Sequence, residues 1–252
     1  MEVYLSIVIF IFGTIFGSFY NVVGYRLPNG LSLIKPGSFC PKCNHELKWY
    51  ELFPIFSFLV QKGRCRKCKC KISLFYPLIE FTTGVLFLVS YLIFGISTEF
   101  FISIIISSFF VIVIVSDFNY LIISDEVTIF MSILIVLITF FSYGIESGIY
   151  SIVFGLILFA FMFLFMLMGN KIFKKETLGG GDIKLMFFIG TVLNPWNGLF
   201  SLFIASISAF PVSLIFYMKR KSRVIPFGPF LLFGCLIVYL FQLNILSILG
   251  LS

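Results

Sequence analysis

The feature that most constrains this chain is the length of its uncharged stretches. Apolar residues come in runs of about 20, long enough to cross a bilayer as helices. Eight such segments can be drawn: roughly 4–24, 77–95, 100–116, 127–143, 149–168, 184–194, 198–218 and 226–249. Hydrophobic residues make up 60% of the 252 and charged residues only 12%. A soluble domain carries about a quarter charged residues, so that class is excluded. The expectation is an all-α polytopic membrane protein of about eight transmembrane helices. The segment 184–194 is short: it could be a re-entrant or half-span element packed inside protein, but the charge topology of the connections closes only if it crosses. The first residues, M-E-V-Y-L-S, place an acid where a secretory signal would be basic, so 4–24 reads as a retained span.

The net charge of +7 reports topology, not nucleic-acid binding. All 18 Lys and Arg fall in three connections: 25–75, 169–184 and 219–225. The turns around 96–99, 144–148 and 194–197 have none. Basic connections stay in the cytoplasm, and eight crossings put all three on that side. Connection 117–126 falls there too, with Asp117, Asp125 and Glu126. The chain thus divides into a first helix (1–24), a cytoplasmic Cys-rich segment (25–75) and a membrane core (76–252).

Residues 25–75 form the one sizeable polar region. They hold C-P-K-C (Cys40, Cys43) and C-R-K-C (Cys65, Cys68). Two such knuckles at this separation read as a four-thiolate structural zinc site. A cytoplasmic location disfavours disulfides. A segment this small has little core of its own, so a metal would supply much of its folding energy. Cys70 stands as an alternative to Cys68 for the fourth ligand. His45 could compete as a ligand but reads as a solvated loop residue. Cys235, in the last span, reads as a small apolar filler.

Two aspartates lie at span ends on the cytoplasmic side. Asp117 closes the third span in V-S-D-F-N-Y, and Asp182 follows three glycines in L-G-G-G-D-I-K. Ionisable groups at such places are costly and point to function. Two carboxylates brought together share a proton, which is what an aspartic protease needs. One deprotonates a water while the other protonates the scissile carbonyl. Gly179, Gly180 and Gly181 would let an extended peptide approach the backbone. Asp182 also fits a helix N-cap, and so does Asp125. Asp117 ends a helix, where its charge opposes the macrodipole, so a structural role explains it poorly. Glu80, inside the second span, needs a partner from the basic loop or another span.

Taken in order, these motifs resemble the type IV prepilin peptidases, bifunctional leader peptidases and N-methyltransferases of bacterial pilus, secretion and competence systems. G-S-F-Y-N-V-V-G-Y-R-L-P (17–28), the two Cys pairs, Y-P-L-I-E (76–80), D-F-N-Y-L-I-I-S-D (117–125), G-G-G-D-I-K (179–184) and P-F-G-P-F-L (226–231) carry the resemblance from end to end. The departure is Ser124, where the family usually has Pro. The resemblance implies that Asp117 and Asp182 are the catalytic pair. It implies cleavage of a short basic leader ending in Gly, at the cytoplasmic face of the bacterial inner membrane. The new N-terminal residue would then be methylated from S-adenosylmethionine. The implied partners are prepilins or pilin-like precursors and the lipid bilayer, with no nucleic acid. The competing class is a non-enzymatic scaffold that docks partners through its basic zinc loop.

Overall fold

The computed structural model describes residues 2–174, 177–218, 226–248 and 250. The basic residues Lys175, Lys219, Arg220, Lys221 and Arg223 lie outside the described residues. The described chain is predominantly helical. It divides into two compact units, residues 1–95 and 96–252.

In the first unit, helix α1 (Glu2–Arg26) packs against α3 (Phe75–Phe94), and the Cys-rich segment between them holds only the short helix α2 (Phe56–Val60) and two 3-10 turns. Glycines set the α1–α3 distance. A Cβ on Gly13 would lie 2.8 Å from the Gly84 Cα, and one on Gly17 would lie 2.8 Å from the Glu80 Cα. Small residues at such a seam let helices pack where lipid offers no hydrophobic drive between them. The outer face of α1 exposes Ile7, Ile11, Phe12, Ile15 and Phe19. An apolar strip of this kind suits lipid, since soluble proteins rarely expose one so long.

The second unit contains α4 (Thr98–Tyr120), α5 (Asp125–Tyr143), α6 (Ile145–Phe173), α7 (Gly180–Val192), α8 (Pro195–Met218), α9 (Gly228–Leu240) and the single turn α10 (Ile245–Ile248). Helix α4 starts at Ser97, whose hydroxyl accepts the Phe100 N–H at 3.2 Å. Gly144 at φ +90 turns α5 directly into α6. Helix α7 lies in the interior against α5, α6 and α9, with Leu185, Met186, Phe188 and Ile189 fully buried. The Phe109 ring of α4 meets Phe188 edge to face at 4.8 Å. A Cβ on Gly190 would lie 2.5 Å from the Phe154 carbonyl oxygen, so α6 and α7 touch backbone to backbone.

Among the described residues six helices are long and apolar enough to cross a membrane, and α9 is a shorter apolar helix; α7 and α9 have 13 residues each. At 1.5 Å per residue α7 reaches about 20 Å, short of the hydrocarbon thickness. The last expected span, 226–249, is shorter than the sequence suggests. It stops at Leu240, where Gln242 takes a left-handed conformation (φ 47) and Leu243 N–H donates back to the Val238 carbonyl. That is the helix-ending arrangement polar residues favour at a C-terminus.

Candidate functional site

The two sequence-predicted groups fall in different units, aspartates in the second and cysteines in the first. Asp117 sits in the last turn of α4, 5% exposed. Its backbone carbonyl accepts the N–H of Leu121, which ends the helix in a left-handed conformation at φ 56. The side chain faces the start of α9. The Gly228 backbone N–H points at the carboxylate, and a Cβ on Gly228 would lie 3.1 Å from Asp117 Oδ2.

Asp182 belongs to the first turn of α7, three residues after the capping position, which Gly179 occupies. The Asp182 N–H donates to the Gly179 carbonyl at 3.1 Å, and its carboxylate folds back beside the same glycine. The N-cap reading of Asp182 is therefore wrong: the cap is a glycine, and the carboxylate closes no cap bond. Its charge environment includes Asp117, so the two carboxyl groups are near enough to interact. Ile123 explains how they come together. A Cβ on Gly181 would lie 3.0 Å, and one on Gly228 2.9 Å, from Ile123 Cδ1, so the α4–α5 turn packs closely on the starts of α7 and α9. Beyond the pair the backbone is open, and a Cβ on Gly180 would meet nothing within 4 Å.

Asp125 is not a cap either. Ser124 holds that position, and Asp125 opens α5 while receiving Lys184 Nζ on both oxygens at 2.6 and 2.7 Å. Lys184, one of the basic residues of connection 169–184, thereby ties the start of α5 to α7. Sequence reasoning also missed Gly228. The signal was present in P-F-G-P, where a glycine between two apolar residues marks a close approach.

In the first unit the four cysteines converge. One sulfur from each of Cys40, Cys43, Cys65 and Cys68 lies within 4.8 Å of all the others. Cys40–Cys68 and Cys43–Cys65 are each 3.9 Å apart. A tetrahedral ion with bonds of about 2.3 Å separates its sulfurs by about 3.8 Å, so the set fits zinc. The electrostatics agree. The Lys42 backbone N–H, ahead of desolvation, takes the Cys40 thiol down to about 6. The His45 backbone N–H favours the Cys43 thiolate, but desolvation and the sulfurs of Cys68, Cys40 and Cys65 push that thiol up to about 11. Thiols this close do not all ionise on their own, and a dication lets them.

The two knuckles are copies of one another at a spacing of 25 residues. Cys40 N–H donates to the His45 carbonyl as Cys65 N–H does to Cys70. Asn44 donates to Cys40 as Lys69 does to Cys65, and Leu47 to Ser38 as Ile72 does to Gly63. Asn44 and Lys69 both take left-handed φ, 52 and 59. Under this repeat Cys68 is the counterpart of Cys43, and Cys70 that of His45. Cys68 is thus the fourth member of the cluster. His45 is not a free solvated ring: its Nε2 lies 3.2 Å from Glu51 Oε2. Glu51, with a side chain 1% exposed, also accepts the Lys48 N–H and lies 3.7 Å from Arg66, so it links the two knuckles. Burial pushes its carboxyl up, but the Lys48 N–H, His45 and Arg66 outweigh this and hold it below the usual range.

Among the described residues Glu80 is paired with no basic side chain. Its Oε2 accepts the Ile55 N–H at 2.7 Å, and Ser18 also bonds it. Ile55 has φ 58, unusual for a β-branched residue, and Glu80 holds it there. Arg26, at the end of α1, donates to the carbonyls of Ser32 and Gly37, each at 3.0 Å, and so gathers the start of the loop.

Fold and site together define a multi-pass helical membrane protein with two interacting aspartates at helix ends and a clustered four-cysteine loop. Residues 11–94 match the bacterial peptidase A24 N-terminal domain, and residues 104–214 match the type IV leader peptidase family. The chain is 36% identical over 245 residues to a prepilin leader peptidase/N-methyltransferase of Bacillus subtilis, covering 95% of this chain and 96% of that one. It is 31% identical over 257 residues to the protein of the same name in Vibrio cholerae, covering 95% and 98%. A Myxococcus xanthus relative of that name is 31% identical over 194 residues, 77% of this chain and 57% of its own. No solved structure matches. The chain belongs to the type IV prepilin leader peptidase family.

Proposed function

We propose that this chain removes the short basic leader of type IV prepilins and pilin-like proteins by aspartyl catalysis with Asp117 and Asp182. One aspartate is ionised and takes a proton from water, and the other is protonated and donates to the scissile carbonyl oxygen. The resulting tetrahedral diol collapses as the leaving amine takes up a proton. No covalent enzyme intermediate forms. The observation that supports this reading most is that Asp182 lies in the electrostatic field of Asp117, with Ile123 packed beside the positions of both Gly181 and Gly228. The open backbone at Gly180 supports a role in admitting an extended peptide. The clustering of basic residues in connections 25–75, 169–184 and 219–225 supports a cytoplasmic site in the bacterial inner membrane.

The names of the relatives support a second activity, methylation of the new N-terminal amine from S-adenosylmethionine. Cys40, Cys43, Cys65 and Cys68 would hold zinc as a structural ion that folds the loop. The peptidase reading is tested by incubating a prepilin with membranes containing the wild type, Asp117→Asn or Asp182→Asn. Loss of cleavage in both variants at normal membrane levels is the expected result. Full activity in either removes that residue from the pair.

A further inference from the structure

The duplicated knuckle leaves one thiol unaccounted for. In the first copy the fifth position after the leading cysteine is His45, held by Glu51 at 3.2 Å. In the second copy it is Cys70, and its sulfur lies 3.6 Å from Cys40 Sγ across the cluster. That is shorter than the 3.9 Å from Cys40 to Cys68. Cys68 is exposed, whereas Cys70 is half-buried. The residue that completes the cluster is thus its most exposed cysteine, and a less exposed one stands beside it.

We propose that the metal site has five thiolate donors for four positions, with Cys70 able to replace Cys68. The inference rests on the zinc reading above. In the exchange one metal–sulfur bond to Cys68 breaks and one to Cys70 forms. Cys70 gives up its proton and Cys68 takes one up, so coordination number and net charge are unchanged. Cys40, Cys43 and Cys65 stay bound throughout. The site then keeps its ion when the exposed Cys68 is alkylated or oxidised, which a strict four-cysteine site would not do.

The test uses the full-length protein in detergent, dialysed against a competing chelator, with zinc measured per chain and the visible absorption of bound Co2+ read in parallel. Wild type, Cys68→Ser and Cys70→Ser should each hold one ion in a four-sulfur shell. The two variants should stay within about tenfold of wild-type affinity, the low end of what a disturbed metal shell costs. Cys43→Ser and the double variant Cys68→Ser/Cys70→Ser should hold none. If Cys68→Ser is as empty as Cys43→Ser, the proposal is overturned while the zinc reading stands. If wild type itself binds no ion, the zinc reading falls and this proposal with it. Brief alkylation of the metal-loaded wild type, read by peptide mass spectrometry, avoids variants that fail to fold. One label per chain, divided between Cys68 and Cys70, is expected; label on Cys70 alone would overturn the exchange.

Discussion

The two units of this chain solve the same problem, placing polar groups precisely in an apolar molecule, by opposite means. In the cysteine segment, residues 38–72, geometry comes from short-range backbone bonds repeated at 25-residue spacing. Its regular structure amounts to one helix of five residues, one 3-10 turn and two isolated bridges. In the second unit the aspartates are 65 positions apart in sequence (182 − 117), and geometry comes from long helices whose glycines let backbones touch. On the proposed zinc reading the first depends on an ion, while the second depends on packing. Damage to one should therefore spare the other.

The largest effect should come from removing a metal ligand. Cys43→Ser should lose the bound ion and the protease resistance of residues 27–74, since structural zinc supplies about 10 kcal/mol or more of folding energy in small sites. Limited proteolysis followed by peptide mapping checks this, with α4 to α9 staying protected. If the second unit also opens, the two units are not independent.

In the packed unit, Asp117→Asn or Asp182→Asn should lower cleavage by about 10²–10⁴-fold, the usual worth of a positioned acid or base. Metal content should not change. A smaller loss, up to about 10²-fold, is expected for Gly228→Ala, because the new Cβ would stand 3.1 Å from Asp117 Oδ2 and shift the carboxylate. Wild-type turnover in that variant would show that the carboxylate does not depend on this contact.

Glu51→Gln sharpens the comparison from the cysteine side. Loss of the charge that joins His45 and Arg66 should weaken the segment by about 1–3 kcal/mol. The carboxyl is held below its usual range, so its contribution is complete above the ordinary carboxylate pKa and disappears as pH falls through the lowered value. Unfolding of the wild-type segment should thus steepen on acidification more than that of the variant. An equal slope in both would rule out Glu51 as an acid-sensitive link. The smallest effect belongs to Asp125→Asn. Its partner Lys184 and Asp125 are about half exposed, and such pairs are worth less than about 1 kcal/mol. Cleavage near the wild-type rate would separate Asp125 from Asp117, which lies in the same sequence block.

Legibility followed the same division. The four cysteines could be read from spacing alone, because C-x-x-C geometry is local. The long helices could be read because their apolar length is fixed by the bilayer. What the sequence hid was contact between distant segments. Ile123 looks like any other isoleucine, yet it leaves no room for a side chain at either Gly181 or Gly228. Glu51 and His45 carry no spacing signal, and their pairing emerges only when the knuckle folds. The cap readings of Asp125 and Asp182 failed for a related reason. Each lies within the first turn of its helix, while Ser124 and Gly179 take the extended backbone a cap needs. The choice between Cys68 and Cys70 rested on a repeat visible in backbone bonds and obscured in sequence by the substitution of His45 for a thiol.

The most direct test of the aspartyl mechanism is mass spectrometry of a prepilin mixed with membranes containing this protein and S-adenosylmethionine, beside the Asp117→Asn/Asp182→Asn double variant. Wild-type membranes should yield a product lacking its leader and heavier by one methyl group, and the double variant should leave the prepilin intact. Leader removal by the double variant at the wild-type rate would contradict the assignment of these two aspartates.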